Sequence, residues 1–130
     1  MSALILRKIV KDSGFNCVLI DAVQSNLGSI LARILREEGI SVGGIVSDES
    51  HMKEVKDLGL KHVYNLQDKT LLDRVSNDIK DNKDKIFYIS SLGGDMPGKI
   101  LMRLPECSQM LVLGSLTKKD LVLPAAAFYF

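Results

Sequence analysis

The residues best spaced to do chemistry form one turn, Ala22-Val23-Gln24-Ser25-Asn26-Leu27-Gly28. It follows a continuous apolar run, CVLI (17–20), and leads into a stretch with helical periodicity. Small residues recur at every third position of the turn: Ala22, Ser25 and Gly28. That spacing lets the backbone approach a phosphate, and the helix behind it offers free N–H groups and the positive end of its dipole. In a doubly wound sheet this turn cradles the pyrophosphate of a dinucleotide. A strict GxGxxG is absent, so the pattern alone is not specific. The local alternative is that Ser25 or Asn26 caps the helix while Gly28 allows close helix–sheet packing. The sequence leaves both open.

Two further turns belong with it. The second apolar run ends Ile45-Val46-Ser47-Asp48. A carboxylate at that place accepts from the adenosine ribose 2′-hydroxyl and selects NAD, whereas a hydroxyl or cation admits the 2′-phosphate of NADP. Val46 or Ser47 takes the discriminating position, and Asp48 lies beyond it. Ser47 can donate to a phosphate, and His51 or Lys53 can approach one, while Asp48 would repel it. The balance favours NADP, with NAD as the alternative. The local alternative is that Asp48 or Ser50 caps the next helix and His51 is a surface side chain. The fourth run ends Ser90-Ser91-Leu92-Gly93-Gly94-Asp95. A glycine pair there lies on the ligand side of such a sheet and lets a nicotinamide ribose approach the backbone. It also serves as a helix entry, with Asp95 capping and Pro97 in the first turn. Gly114-Ser115-Leu116, after the fifth run, falls on the same edge.

These turns need elements to hold them. Residues 3–11 read as a short amphipathic helix stopped by Asp12-Ser13-Gly14. The run 17–20 is a strand buried on both faces. Leu27, Ile30, Leu31, Ile34 and Leu35 mark one face of a helix over 26–38, ended by Gly39. A strand over 41–46 carries Gly43 and Gly44, which weaken it in isolation. A helix follows over 49–58, then a strand over 62–66. Thr70 and Asp73 resemble a capping box opening a helix to about Asn77–Lys80. A mixed-charge turn (78–85), a strand (86–90), a helix (96–104) and a strand (110–114) complete the chain. Strands alternating with helices give right-handed crossovers. The expected architecture is α/β: a Rossmann-type doubly wound parallel sheet in three αβα layers, five strands, order 3-2-1-4-5. Tyr64 and Tyr88 are expected to pack in or beside strands, and Met96, Met102 and Met110 to fill the core.

Composition bounds the rest. The chain has 130 residues, 46% hydrophobic and 25% charged, with a net charge of +1. One globular domain is expected, without disulfide or metal staples. The near-neutral charge gives nucleic acid no electrostatic hold, and no apolar run reaches the roughly 18 residues of a membrane span. Cys17 and Cys107 form no CxxC, and His51 and His62 stand apart from both. Two reduced, mostly buried thiols in a cytoplasmic protein are expected, with no structural zinc. The segment 121–130 is apolar to its end, which suggests a domain cut from a longer chain or one that docks its end on a partner.

In order and spacing, VLIDAVQSNLG (18–28), EEGISVGGIVSDE (37–49), VKDLGLKHVYN (55–65), SLGGDMPGKIL (91–101) and LVLGSL (111–116) resemble the nucleotide-binding domain of the medium-chain dehydrogenase/reductase superfamily, on its zinc-free quinone-oxidoreductase and enoyl-reductase side. That family's loop is often Ala-x-x-Ser/Gly-x-x-Gly, which Ala22, Ser25 and Gly28 match. Two features depart from it. The lysine common near His51 is missing, with Asp48 adding an acid nearby. The aspartate that commonly ends the fourth strand is here Ser90. The resemblance implies an NADP-dependent, zinc-independent hydride transfer to a carbonyl, quinone or enoyl substrate. It implies a small-molecule substrate held against a separate catalytic domain that these residues do not contain, so no catalytic residue is assigned. It also implies a homodimer through the sheet edge, which the apolar 121–130 segment would support. Two other readings stand beside it: an S-adenosylmethionine-binding methyltransferase-like domain, and a non-catalytic nucleotide-sensing or interaction module.

Overall fold

A computed structural model of the chain describes residues 3–79 and 84–113. Five strands pair in parallel in the order β3-β2-β1-β4-β5, as expected. They are β1 (Cys17–Asp21), β2 (Ser41–Val46), β3 (His62–Asn65), β4 (Ile86–Ser90) and β5 (Gln109–Val112). The helices are α1 (Ala3–Ser13), α2 (Asn26–Glu37), α3 (Met52–Lys56), α4 (Leu71–Ile79) and α5 (Met96–Leu101).

The period-two alternation of the strands divides the core into two layers. Val18 and Ile20 of β1 and Phe87 and Ile89 of β4 face one side, where Leu6 and Val10 of α1, Leu31, Ala32 and Leu35 of α2 and Val55 of α3 cover them. Leu19, Ile86 and Tyr88 face the other side, under Leu71 and Val75 of α4 and Ile100 of α5. Covering both faces is what allows the central strands to be apolar at successive positions.

The glycine pair of β2 is split between these layers. A Cβ on Gly44 would lie 2.7 Å from Val23 Cγ1 and 2.9 Å from Leu60 Cδ1. Gly44 is therefore the floor on which Val23 and Leu60 pack. A Cβ on Gly43, pointing the opposite way, would come no nearer than 3.4 Å, to Leu19 Cδ1. The pair looks weak in an isolated strand, but one of its members is required by the packing above it.

Several local expectations are corrected. The helix expected over 49–58 is a 3₁₀ turn, Glu49–His51, followed by the short α3. Asp48 tightens that entry by accepting from the Ser50 N–H. The capping box at Thr70 does not form. Instead Asp68 Oδ1 accepts from the Thr70 N–H and hydroxyl, and its Oδ2 from Arg74. These donors, the Thr70 hydroxyl first, hold the Asp68 carboxyl down at about 2. α5 stops at Leu101 instead of 104, and Asp95 precedes it without a side-chain capping bond, pairing with Lys99 at 3.2 Å instead. Met102 is 45% exposed and not a core residue. Cys107 is exposed and Cys17 half-buried, so neither thiol is buried as expected; Cys107 sits at φ +67° ahead of β5.

Candidate nucleotide-binding crevice

In sheet order, β1 lies between β2 and β4. The chain therefore leaves β1 toward one side and reaches β4 on the other. The crevice opened by that divergence, beyond the C-terminal strand ends, is where open α/β sheets bind ligands. All three described turns singled out from the sequence lie there.

The first turn is shaped by its backbone. Ala22 adopts φ +48°, a left-handed conformation uncommon for a residue with a Cβ. The Ser25 N–H donates back to Ala22 O at 2.9 Å, and the Val23 N–H to Ile45 O at 3.1 Å. Ser25 then caps α2, its Oγ accepting from the Gly28 N–H at 3.1 Å. Gly28 is required by contact: a Cβ there would lie 2.9 Å from both Ala22 O and Val23 Cα. The local reading of this turn, a serine cap with a close-packed glycine, is thus realised. It produces the same shape that a pyrophosphate cradle needs, so the two readings do not compete. Asn26 is exposed at the helix start, and Leu27 packs against the core. Val23, placed among the candidate binding residues, is a fully buried core side chain, so only its backbone borders the crevice.

The second turn joins the first directly. The Gln24 side-chain amide donates to Ser47 Oγ at 3.0 Å. This leaves Gln24 Oε1 buried with no hydrogen-bond partner among the described residues. Asp48 does not share the arrangement. Its carboxylate accepts from the Ser50 hydroxyl and N–H, and those bonds hold its pKa below the ordinary carboxylate value. His51 closes the 3₁₀ turn, half-buried. The structure therefore brings Ser47 to the first turn and commits Asp48 to a cap.

The third turn runs from Ser91 through buried Leu92 to Gly93 and Gly94, at φ +75° and +74°. Two successive left-handed residues are the reason for a glycine pair. Gly114, Ser115 and Leu116 lie outside the described residues, as does the 121–130 segment.

One residue that sequence reading missed links the first and third turns. Asp21 ends β1 at 2% exposure. Its Oδ2 accepts from the Tyr88 and Ser90 hydroxyls, both at 2.6 Å, and its Oδ1 from the Ser91 N–H at 2.8 Å. Burial raises its pKa, and the bonds from Ser90, Tyr88 and Ser91 pull it back. Burial, with the charge of Asp21, pushes the Tyr88 hydroxyl far above its usual value, so it remains a donor. The signal was a lone acid closing an otherwise apolar strand. It lies one residue beyond the end expected for the strand, Ile20. The resemblance implied an aspartate where Ser90 stands. Here Ser90 is the donor, and the carboxylate comes from the neighbouring strand.

A cavity of about 80 Å³ lies at the opposite end of the strands, lined by Cys17, Gly43, His62, Tyr64, Asp78 and others. It is far smaller than the several hundred Å³ of a typical ligand pocket, and it borders none of the three turns. Among the described residues no group of His, Cys, Asp and Glu is arranged to hold a metal ion. No described helix is long and apolar enough to cross a membrane.

Neither a protein-family model nor a curated protein sequence matches the chain. Solved structures do. A candidate NADPH:quinone reductase from Mesorhizobium loti matches with a TM-score of 0.83 at 21% identity, over 92% of this chain and 35% of that one. A protein described as a candidate enoyl reductase domain of a polyketide synthase matches with a TM-score of 0.77 at 16% identity, over 98% of this chain and 72% of that one. CurA from Vibrio vulnificus, solved in complex with NADPH, matches with a TM-score of 0.67 at 18% identity, over 78% and 30%. The chain spans about a third of the length of the first and the last of these. At such identities the likeness is one of fold: the chain has the Rossmann-type, doubly wound fold that these reductase structures contain.

Proposed function

We propose that this chain is the NADP-binding domain of a zinc-independent oxidoreductase of the medium-chain dehydrogenase/reductase type, one part of a longer two-domain protein. The observation that carries the reading is the turn from Ala22 to Gly28. Its third small residue touches backbone on two sides where a Cβ would be, and it opens a twelve-residue helix at the switch point of the sheet. The match to a structure solved with NADPH supports the choice of ligand.

The residues present fit a dinucleotide. Ser25 uses its own Oγ and carbonyl on the Gly28 and Ser29 N–H groups. The earlier amides of α2, those of Asn26 and Leu27, are then the donors for a pyrophosphate, helped by the helix dipole. Gln24 Oε1 is a buried acceptor without a partner among the described residues, suited to a ribose hydroxyl. Ser47 Oγ accepts from Gln24 and its own proton has no acceptor among the described residues, which leaves it to meet a 2′-phosphate. Asp48 is drawn away into its cap, which removes the acid that would oppose that phosphate. Gly93 and Gly94 give the nicotinamide ribose close access to the backbone. Bound nicotinamide supplies the hydride. This domain's part is to bind and orient it toward a carbonyl, quinone or enoyl substrate held by the rest of the protein.

Calorimetric titration of the chain with NADPH and then NADH tests the reading. Saturable NADPH binding, tighter than NADH and abolished by Ser25→Leu, is expected. Equal or tighter NADH binding would overturn the NADP assignment, and binding of neither would overturn the cofactor reading.

A further inference from the structure

Asp21 is a buried carboxylate at the base of the crevice, and among the described residues no cationic side chain pairs with it. Such a group is costly to bury unless its hydrogen bonds are satisfied, and here every bond it makes goes to one strand end. Tyr88, Ser90 and Ser91 all belong to β4 or to the first residue beyond it. The arrangement follows from strand register. β1 and β4 pair in parallel with Leu19 beside Tyr88, so alternation puts Asp21, Tyr88 and Ser90 on the same face at adjoining positions.

The donors are not equivalent. Tyr88 and Ser90 offer hydroxyls, which can reverse and accept. Ser91 offers a more distant hydroxyl, at 3.4 Å from Oδ1, and a backbone N–H, which cannot reverse. Only the Oδ1 bond at 2.8 Å therefore demands an acceptor, and that bond fixes the first amide of the turn that continues through Gly93 and Gly94. The first turn does not depend on this side chain. It is held by the Val23 N–H on Ile45 O and by the Ser25 N–H on Ala22 O.

We propose that Asp21 is a positioning residue: its Oδ1 sets the Ser91–Gly94 turn in place for the nicotinamide half of the dinucleotide, and what it contributes there is an acceptor, not a charge. This rests on the cofactor reading above. It separates the two halves of the ligand. Cutting back Asp21 loosens the turn that meets the nicotinamide side and leaves the turns that meet the adenosine side intact.

The test uses the full chain and two probes, NADPH and adenosine 2′,5′-bisphosphate, titrated below the thermal transition of each variant. Asp21→Ala is expected to weaken NADPH binding by about tenfold or more, the scale of a buried N–H left without its acceptor. The bisphosphate is expected to bind within about twofold of wild type. Asp21→Asn, which keeps an oxygen for the Ser91 N–H, is expected to restore NADPH binding to within about threefold. If Asp21→Ala does not fold, Asp21→Thr takes its place. Its hydroxyl can serve Tyr88 and Ser90 but lies one bond too close to the backbone to reach Ser91, so the same selective loss is expected. Equal weakening of both probes, unchanged NADPH binding, or an Asn variant as weak as Ala would overturn the proposal. Wild-type protein that binds neither probe would instead overturn the cofactor reading itself.

Discussion

A single carboxylate, Asp21, carries the plainest pH signature of this chain. Burial lifts its pKa above the ordinary value, opposed by the bonds from Ser90, Tyr88 and Ser91. An acid with a raised folded-state pKa is relatively more stable protonated in the fold than in the unfolded chain. Its contribution to stability is full below the unfolded pKa and is lost as pH rises through the folded one. Asparagine stays neutral throughout. The stability of Asp21→Asn relative to wild type should therefore improve as pH rises from about 4 to 8. Thermal unfolding of both proteins across that range measures it. A relative stability of Asp21→Asn that falls with rising pH would mean that the three donors outweigh burial. Asp21 was hard to see in the sequence because its meaning is pairwise. Its partners lie in another strand, and nothing in the local pattern of residues 17–28 shows which strand lies beside β1. The Ala22–Gly28 turn was easier, because its requirement is local: a small residue where the helix start folds back over the turn.

At the scale of elements, the strands and their order could be read because apolar runs and helical stripes are strong, local signals. Ends were less legible. Asp48 and Asp68 each reach a donor two residues ahead, which replaces regular helix starts with tight turns that propensity alone does not foresee. Gly43 and Gly44 show the same limit inside a strand. As a pair they read as weakness, yet they face opposite layers and have opposite requirements. Gly44→Ala would drive a Cβ into Val23 and Leu60 at under 3 Å, and overpacking of this kind costs about 1–3 kcal/mol. Gly43→Ala meets nothing nearer than 3.4 Å. By reducing the freedom of the unfolded chain it should be neutral or stabilising by up to ~1 kcal/mol. Denaturant unfolding of the two single variants reads the difference directly. Equal costs would mean that the packing of Val23 in the first turn and of Leu60 does not depend on this strand.

At the scale of the whole molecule, the crevice is made by the sheet and not by any one element. The first turn hangs from β1, Ser47 from β2, and the glycine turn from β4. A ligand spanning all three joins strands on both sides of the switch point, so it can bind well only when the central sheet is formed. Binding restricted to the folded state stabilises by mass action, about 2.7 kcal/mol at a ligand concentration of one hundred times Kd. For a domain of this size that raises Tm by roughly 5–15 °C. The shift depends only on the ratio of concentration to Kd. NADPH and NADH at one concentration therefore rank their affinities without titration, each ~1.4 kcal/mol of difference marking tenfold. Ser47, whose proton has no acceptor among the described residues, beside an Asp48 turned into its cap, should make the NADPH shift the larger. Ser47→Ala should bring the two shifts together by lowering the NADPH shift alone. A Ser47→Ala protein that loses both shifts equally would show that Ser47 acts through its bond with Gln24 on the first turn, and that the preference between the cofactors is set elsewhere in the crevice.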